Sequence, residues 1–225
     1  MTLTCRDLTM AWPQAADNAG PLLDAVNVRF EFGRISLVTG PTGSGKSTLL
    51  HLLAGLLRPV SGVVSDQGKP ISRWPTSHRD HWRRQVGICF QSLHLISGLS
   101  VVENVLQPMI PRNMGWSAMV DRAQEMLSAL DLAAFMKMPV QILSGGQQQR
   151  VAVARAMVHA PRILLADEPT AFQDDDHTRL LMDLFDRCAC RGACVVVSSH
   201  DTRLRQSTRF HARYGLNDGN LEAVI

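Results

Sequence analysis

No apolar run in this 225-residue chain approaches the roughly 20 residues that cross a bilayer, so any membrane role has to be borrowed from a partner. The start, Met1-Thr2-Leu3-Thr4-Cys5-Arg6-Asp7, lacks the basic-then-apolar order of a secretion signal, and a cytoplasmic location is expected. Excess charge is scarce too. A net charge of +3 is too small to argue for nucleic acid as a partner. The one locally basic stretch, Arg79-Asp80-His81-Trp82-Arg83-Arg84, reads as a solvated helix face, with a nucleic-acid patch as the lesser alternative. Five cysteines give no disulfide framework in such a chain. Cys188, Cys190 and Cys194 fit no standard zinc spacing and have no His among them, so buried thiols near a helix end and a strand start are preferred to a metal site. Aromatics are sparse at 5%, and there is no internal repeat, low-complexity tract or flexible linker. The length and a 45% hydrophobic share suit one compact unit with a sizeable core. Little chain follows His200, so no added regulatory domain is expected.

Short apolar strands alternate with helical patterns. Residues 35–39 read as a strand, and after Lys46 the stripe Leu49, Leu50, Leu52, Leu53 and Leu56 reads as a helix. Residues 86–90 form a second strand ending at Gln91. Between 93 and 143 the character changes: Pro108, Pro111 and Pro139 punctuate it, and 119–132 is helix-like, with Ala123, Met126, Leu127 and Leu130 on one face. Methionines at 114, 119, 126, 136 and 138 are read as adaptable core packing before a partner groove. Then come a helix over 148–159, a buried strand over 163–166, an amphipathic helix over 178–187 and a Val-rich strand over 194–198. The alternation implies an α/β core around a mainly parallel sheet, carrying an inserted helical subdomain.

Three features carry chemistry. Gly40-Pro41-Thr42-Gly43-Ser44-Gly45-Lys46-Ser47-Thr48 lies between a strand and a helix, the context a phosphate loop requires. Its glycines let backbone N–H groups turn toward phosphate oxygens, and the following helix adds its positive end. Lys46 supplies a point charge to the β- and γ-phosphates, and Ser47 a hydroxyl for Mg²⁺. Asp167 and Glu168 end an apolar strand: Asp167 is placed to hold Mg²⁺ and Glu168 to act as general base or water orienter. In Leu143-Ser144-Gly145-Gly146-Gln147, Ser144 is a good N-cap and the glycines leave amides open to an anion. That is a second phosphate-binding helix end, and two chains head to tail would bring it onto the first one's nucleotide. Gln91 and His200 follow strands, so both are placed to reach the site, Gln91 toward Mg²⁺ or the attacking water and His200 toward the γ-phosphate. Trp12 either stacks on adenine or packs on the fold.

Together these residues resemble the nucleotide-binding subunits of ABC transporters over nearly the whole chain. Gly40 to Thr48 match the family's Walker A loop, Gln91 its Q-loop glutamine, Leu143 to Gln147 its signature, Asp167 and Glu168 Walker B and the catalytic glutamate, and His200 the switch histidine. Trp12 falls where the adenine-stacking aromatic sits, and Asn217-Asp218-Gly219 resembles the closing turn. The resemblance implies one ABC ATPase domain over 1–225, with a core at 1–90 and 151–225 and a helical subdomain at 91–150. It also implies ATP and Mg²⁺ as cofactors, a second copy and integral membrane permease subunits as partners, and a place at the cytoplasmic face of the inner membrane. A periplasmic accessory protein would be reached through the permease. One departure stands out: in Ala171-Phe172-Gln173-Asp174 the aspartate of the D-loop is kept, but Phe172 and Gln173 are unusual.

Leu93-His94-Leu95-Ile96-Ser97-Gly98-Leu99 and Ser144-Gly145-Gly146-Gln147-Gln148-Gln149-Arg150 resemble the lipoprotein-releasing and macrolide-efflux ATPases, which implies export or extraction. Amino-acid importers and FtsE-like cell-division ATPases share much of this text. A chromosome or DNA-repair ATPase would need long heptad arms, a P-loop kinase would not need residues 144–147, and a ribosome-associated relative usually carries two ATPase halves. The apolar 93–105 stretch is expected to offer a groove for a cytoplasmic helix of a membrane partner.

Overall fold

The computed structural model describes residues 1–11, 20–112 and 114–224. Its centre is a six-stranded sheet of order β5-β6-β7-β3-β8-β9. The strands are β3 (Ile35–Thr39), β5 (Val86–Cys89), β6 (Ile163–Asp167), β7 (Cys194–Ser198), β8 (Ala212–Asn217) and β9 (Asn220–Ala223). The first five of these run parallel. Every residue of β6 and β7 is buried, because both faces of the sheet are covered; such strands read as continuous apolar runs. β9 returns antiparallel through Asp218-Gly219, with φ of 46° and 80°, the positive pair that a two-residue hairpin turn demands.

A second, antiparallel sheet of order β2-β1-β4 is built from β1 (Thr2–Met10), β2 (Leu23–Glu31) and β4 (Ser61–Asp66). The sequence reading assigned none of these three strands. The helix α1 (Lys46–Leu53) lies with this sheet: Leu49, Leu50, Leu52 and Leu53 join Phe30, Val64 and the Val38, Leu165 and Val196 face of the central sheet in one core. Leu56 does not belong to the stripe. The helix stops before Gly55 (φ 66°), leaving Leu56 beyond its end and 41% exposed.

The opposite face of the central sheet is covered by α5 (Gly145–Met157), α6 (Asp175–Cys190) and the helical insert. The insert contains α3 (Val101–Leu106) and α4 (Trp116–Ser128). Ser100 and Glu103 form a reciprocal capping box at the start of α3. Ala123, Leu127 and Leu130 are buried as the helical period requires, while Met126 is half-buried. Met119 packs inside and Met136 against the core, but Met114 and Met138 are exposed.

Two expectations fail here. The basic segment lies on α2 (Thr76–Arg83), yet Arg79 and Trp82 face inward; Trp82 Nε1 donates to Asp66 at 2.9 Å, so the face is not wholly solvated. Cys188 is half-buried and Cys194 buried, their thiols pushed up by burial to about 11 and about 12, but Cys190 is exposed on the last turn of α6. Among the described residues no helix is long and apolar enough to cross a membrane.

Candidate active site

Because β3, β5, β6 and β7 are parallel, their carboxyl ends lie on one edge, where α/β sheets bind ligands. The order β5-β6-β7-β3 sets Gln91, then Asp167 and Glu168, then His200, then the 40–45 loop along that edge. A cleft of about 270 Å³ opens there. Thr42, Gly43, Gly45, Lys46, Ser47 and Thr48 form one wall, and Gln91, Asp167, Glu168 and His200 the other, with Leu22 beside them. Pro41 and Ser44 face an adjoining hollow bordered by Gly20 and Gly219. Trp12 lies outside the described residues.

The loop is packed so tightly that a Cβ on Gly40 would stand 2.3 Å from the Leu216 carbonyl oxygen and 2.8 Å from Ser44 Oγ. The Gly45 N-cap of α1 (φ 101°) has no side chain to satisfy the first-turn amides, and that turn carries no acid. Lys46 is buried, its Nζ donating to the Gly40 and Pro41 carbonyls at 2.9 Å each. Ser44 Oγ is buried without a hydrogen-bond partner among the described residues. Open amides, an ammonium folded over the loop and an orphaned hydroxyl fit a polyanionic ligand.

Across the cleft Glu168 has a φ of 48°, a left-handed conformation that a non-glycine residue keeps only when its surroundings hold it. Ser199 Oγ donates to its Oε2 at 2.9 Å, and the His200 backbone N–H to Oε1 at 3.0 Å. His200 Nδ1 lies 2.7 Å from the same Oε1. The Glu168 carbonyl accepts from Gln149 Nε2 at 3.3 Å. The Glu168 side chain is 8% exposed and that of His200 68%, so the histidine stands at the mouth and the acid behind it. Asp167, also buried, accepts from the Ser198 hydroxyl. One step farther, Thr170 Oγ1 donates to Asp201 at 2.9 Å, and Arg203 grips Asp201, Asp175 and the Gln173 carbonyl. Burial pulls the Asp201 carboxyl up, but hydrogen bonds from Arg203 and Thr170 outweigh it and hold the group below its usual range.

Ser198, Ser199, Gln149 and Asp201 escaped the sequence reading. The signal for the first two was there: a pair of serines closing an otherwise all-Val run, directly before His200.

Ser144, Gly145, Gly146 and Gln147 do not line the cleft. They open α5, where the Gln147 N–H donates to Ser144 Oγ at 3.3 Å and the Ser144 N–H to Gln147 Oε1 at 2.9 Å. Ser144 and Gly145 are exposed. The two glycines differ. A Cβ on Gly146 would stand 2.6 Å from the Phe172 carbonyl oxygen, whereas one on Gly145 would meet only Phe172 ring atoms at 3.8 Å or beyond. Gly146→Ala is therefore expected to cost about 1–3 kcal/mol by overpacking against backbone, a fall of several degrees in melting temperature. Gly145→Ala is expected to melt with the native protein; equal melting temperatures for the two variants in a calorimeter would contradict this packing.

A parallel sheet whose carboxyl edge carries a phosphate loop, a buried acid pair and a histidine defines a P-loop nucleotide-binding protein. The chain belongs to the ABC transporter family and carries its ATPase domain: the family pattern matches residues 23–171. An uncharacterized ABC transporter ATP-binding protein of Mycobacterium tuberculosis is 39% identical over 183 residues, 81% of this chain and 56% of that protein. The cell division ATP-binding protein FtsE of Escherichia coli is 37% identical over 204 residues, 90% of this chain and 91% of that one. The dimeric structure of MJ0796, a bacterial ABC transporter cassette, has a TM-score of 0.91 at 31% identity, covering 98% of this chain and 96% of that one. MJ0796 in a post-hydrolysis state bound to ADP and Pi matches with the same score and identity over 99% of both chains. The chain spans 56–61% of the length of the mycobacterial relatives it matches.

Proposed function

We propose that this chain binds and hydrolyses ATP as the energy-supplying subunit of a membrane export or extraction complex. The observation that carries the reading is the Glu168–His200 pair facing the Lys46 loop across one cleft. In this reading Lys46 releases the Gly40 and Pro41 carbonyls and takes up the β- and γ-phosphate oxygens, which the amides of the loop and of the first turn of α1 also bind. Ser47 and Asp167 are hard oxygen donors that suit Mg²⁺, with Gln91 beside them on the next strand; the ion, when bound, offsets phosphate charge. Glu168 orients a water and takes its proton as the water oxygen bonds to the γ-phosphorus and the bond from that phosphorus to the bridging oxygen breaks, leaving ADP and phosphate. His200, fixed through Nδ1 by Glu168, presents its exposed ring to the γ-phosphate.

The protein works as a head-to-tail pair: Ser144, Gly145, Gly146 and Gln147 bind the nucleotide held by the loop of the other copy. Two observations support this. In the chain by itself these residues stand apart from the cleft, and the solved MJ0796 cassettes are dimers. A lipoprotein, lipid, peptide or drug is the class of cargo that the export reading entails. The FtsE match over 91% of that protein favours a second reading, a cell-division complex.

The membrane partner docks on the insert at the cytoplasmic face of the inner membrane. Ile96, Ile110, Trp116 and Ile142 are all exposed there. Leu93 and Leu95 lean on the core, and Val101 and Val105 lie within it, so much of the 93–105 stretch is packing rather than groove. Ile96→Asp is accordingly expected to leave folding and ATP binding intact and to reduce association with the membrane partner at least tenfold, whereas Leu95→Asp should unfold the insert. Purification of the tagged chain from detergent-solubilised membranes tests the reading directly. A stoichiometric integral membrane protein that raises ATPase activity is expected. Recovery of the chain without one, under conditions that preserve other transport complexes, would overturn it.

A further inference from the structure

Arg79 is a cation set inside the protein with little to neutralise it. It lies on the inner face of α2 and is only 8% exposed. Its Cγ and Cδ pass 3.2 and 3.3 Å from where a Cβ on Gly55 would stand, just beyond the end of α1. Nε and Nη1 are sealed from water, and neither has a hydrogen-bond partner among the described residues. Other arginines of this chain meet carboxylates, Arg162 with Asp66 at 3.1 Å and Arg209 with Asp186 at 2.8 Å. Around Arg79 the charges have the wrong sign. Arg83 Nη1 donates to the Gly55 carbonyl at 3.2 Å and Arg58 Nη2 to the Trp74 carbonyl at 3.3 Å, which ties both to the same corner. Burial pulls the Arg79 pKa below its usual value, the Arg58 and Arg83 charges pull the same way, and Asp80 alone opposes them. Asp80 is already bonded to Arg83. Three arginines against one aspartate leave two positive charges in excess.

We propose that Arg58, Arg79 and Arg83 form a binding site for a phosphate-type oxyanion, at the far end of α1 from the nucleotide. A phosphomonoester dianion carries the two charges that the corner lacks, and its oxygens accept from several guanidinium N–H groups at once. Arg79 meets it through Nη2, the nitrogen that is not sealed. Guanidinium charge is delocalised, so an anion at one edge offsets the burial cost of the whole group. Arg58 is exposed and Arg83 half-buried, and they supply the remaining donors from the solvent side. The site is distinct from the phosphate loop. Lys46 opens α1 and Gly55 follows its end, so about 14 Å of helix separates the two. A lipid headgroup phosphate and a soluble phosphate share this chemistry, and the test separates them.

The test uses the whole chain with its phosphate loop filled by a non-hydrolysable ATP analogue and Mg²⁺, so that added anion does not enter the nucleotide cleft. Inorganic phosphate replaces chloride at constant ionic strength while the arginine Nε–H signals are followed by NMR. The site predicts a saturable shift of the Arg79 signal, identified by its absence in Arg79→Met. It also predicts a melting temperature raised by about 3 °C at tenfold excess of phosphate over its dissociation constant. Arg79→Met removes an unpaired buried charge, so without phosphate it should melt no lower than the native chain, and phosphate should not raise it. Arg58→Gln changes an exposed residue, keeps the native melting temperature without phosphate, and should weaken phosphate binding at least fivefold. Vesicles then decide the source. Binding to phosphatidylcholine vesicles containing phosphatidic acid, absent with phosphatidylcholine alone and reduced at least fivefold by Arg58→Gln, assigns the anion to a lipid headgroup. A phosphate response without such vesicle binding assigns it to a soluble phosphate. A non-saturating shift shared by all the arginines, or phosphate affinity within twofold of native in Arg58→Gln, overturns the site. So does an Arg79→Met chain that melts several degrees below native, which would make Arg79 a structural support for the end of α1.

Discussion

Glu168→Gln is expected to lower ATP turnover by about 10²–10⁴-fold while ATP binding stays close to native. The substitution keeps the shape of a side chain that lies almost wholly inside the protein. An amide oxygen in the Oε2 position can still accept from Ser199 Oγ, now at 2.9 Å, and from the His200 N–H, now at 3.3 Å, so the left-handed turn at 168 keeps these supports. The phosphate loop lies on β3, two strands from β6, and is not touched. What disappears is the group able to take a proton from water. The variant should therefore accumulate with ATP bound, as a pair. Phosphate release and nucleotide binding are measured on one preparation. Turnover within a few-fold of native would remove Glu168 from the proton-accepting role. Ser199→Ala should fall between native and Glu168→Gln, because it removes the one hydroxyl that holds the carboxylate without removing the carboxylate.

The parts legible from sequence share a physical cause. Strands 35–39, 163–167 and 194–198 are buried on both faces, so they appear as largely apolar runs, and each ends at a polar residue on the carboxyl edge of the sheet. That is why residues 42, 43 and 45–48, Asp167, Glu168 and His200 could be expected at one sheet edge, where they share a cleft. Ser144 was legible because a capping box is local: its bonds join residues three apart. The antiparallel strands were not. Val26, Val28 and Phe30 do alternate with polar residues, but β1 contains Asp7 at φ 47° and register shifts that interrupt its period, and its pairing with β4 spans some sixty residues of chain. α6 starts three residues before the amphipathic pattern, because its Asp174 cap and the Asp175 and Asp176 of its first turn are polar by necessity. Arg79 looked solvated because sequence shows charge and not the hollow beside Gly55 into which its stem folds. Gln173 is the clearest case: its unfamiliarity was visible, but its bonds to Gly146 and Arg150 join segments more than twenty residues apart.

Mixing two dead variants should restore activity. Lys46→Ala removes the ammonium from the phosphate loop, and Ser144→Arg places a long side chain at the exposed start of α5; each is expected to reduce turnover by at least about 10²-fold. In a head-to-tail pair every site takes Lys46 from one copy and Ser144 from the other. A pair containing one chain of each kind gathers both lesions into one site and leaves the other intact. Random re-pairing makes about half of all pairs mixed, so roughly a quarter of native site activity is the ceiling if the sites act independently, and less if they must fire together. A chain that completed its own site would behave differently, since every site in the mixture would still carry a lesion and no activity would return. The geometry favours the first outcome: Lys46 lines the cleft, while Ser144 and Gly145 are exposed and stand outside it. Ser144→Arg also sacrifices an N-cap worth about 1 kcal/mol, so both variants are first melted to establish that they are folded. Phosphate release is then followed as one variant is titrated into the other at fixed total protein. A maximum near equal amounts is the expected result, and a flat baseline across the titration, with both proteins folded and mixed pairs shown to form, would place Ser144 in the service of its own chain's nucleotide or of none.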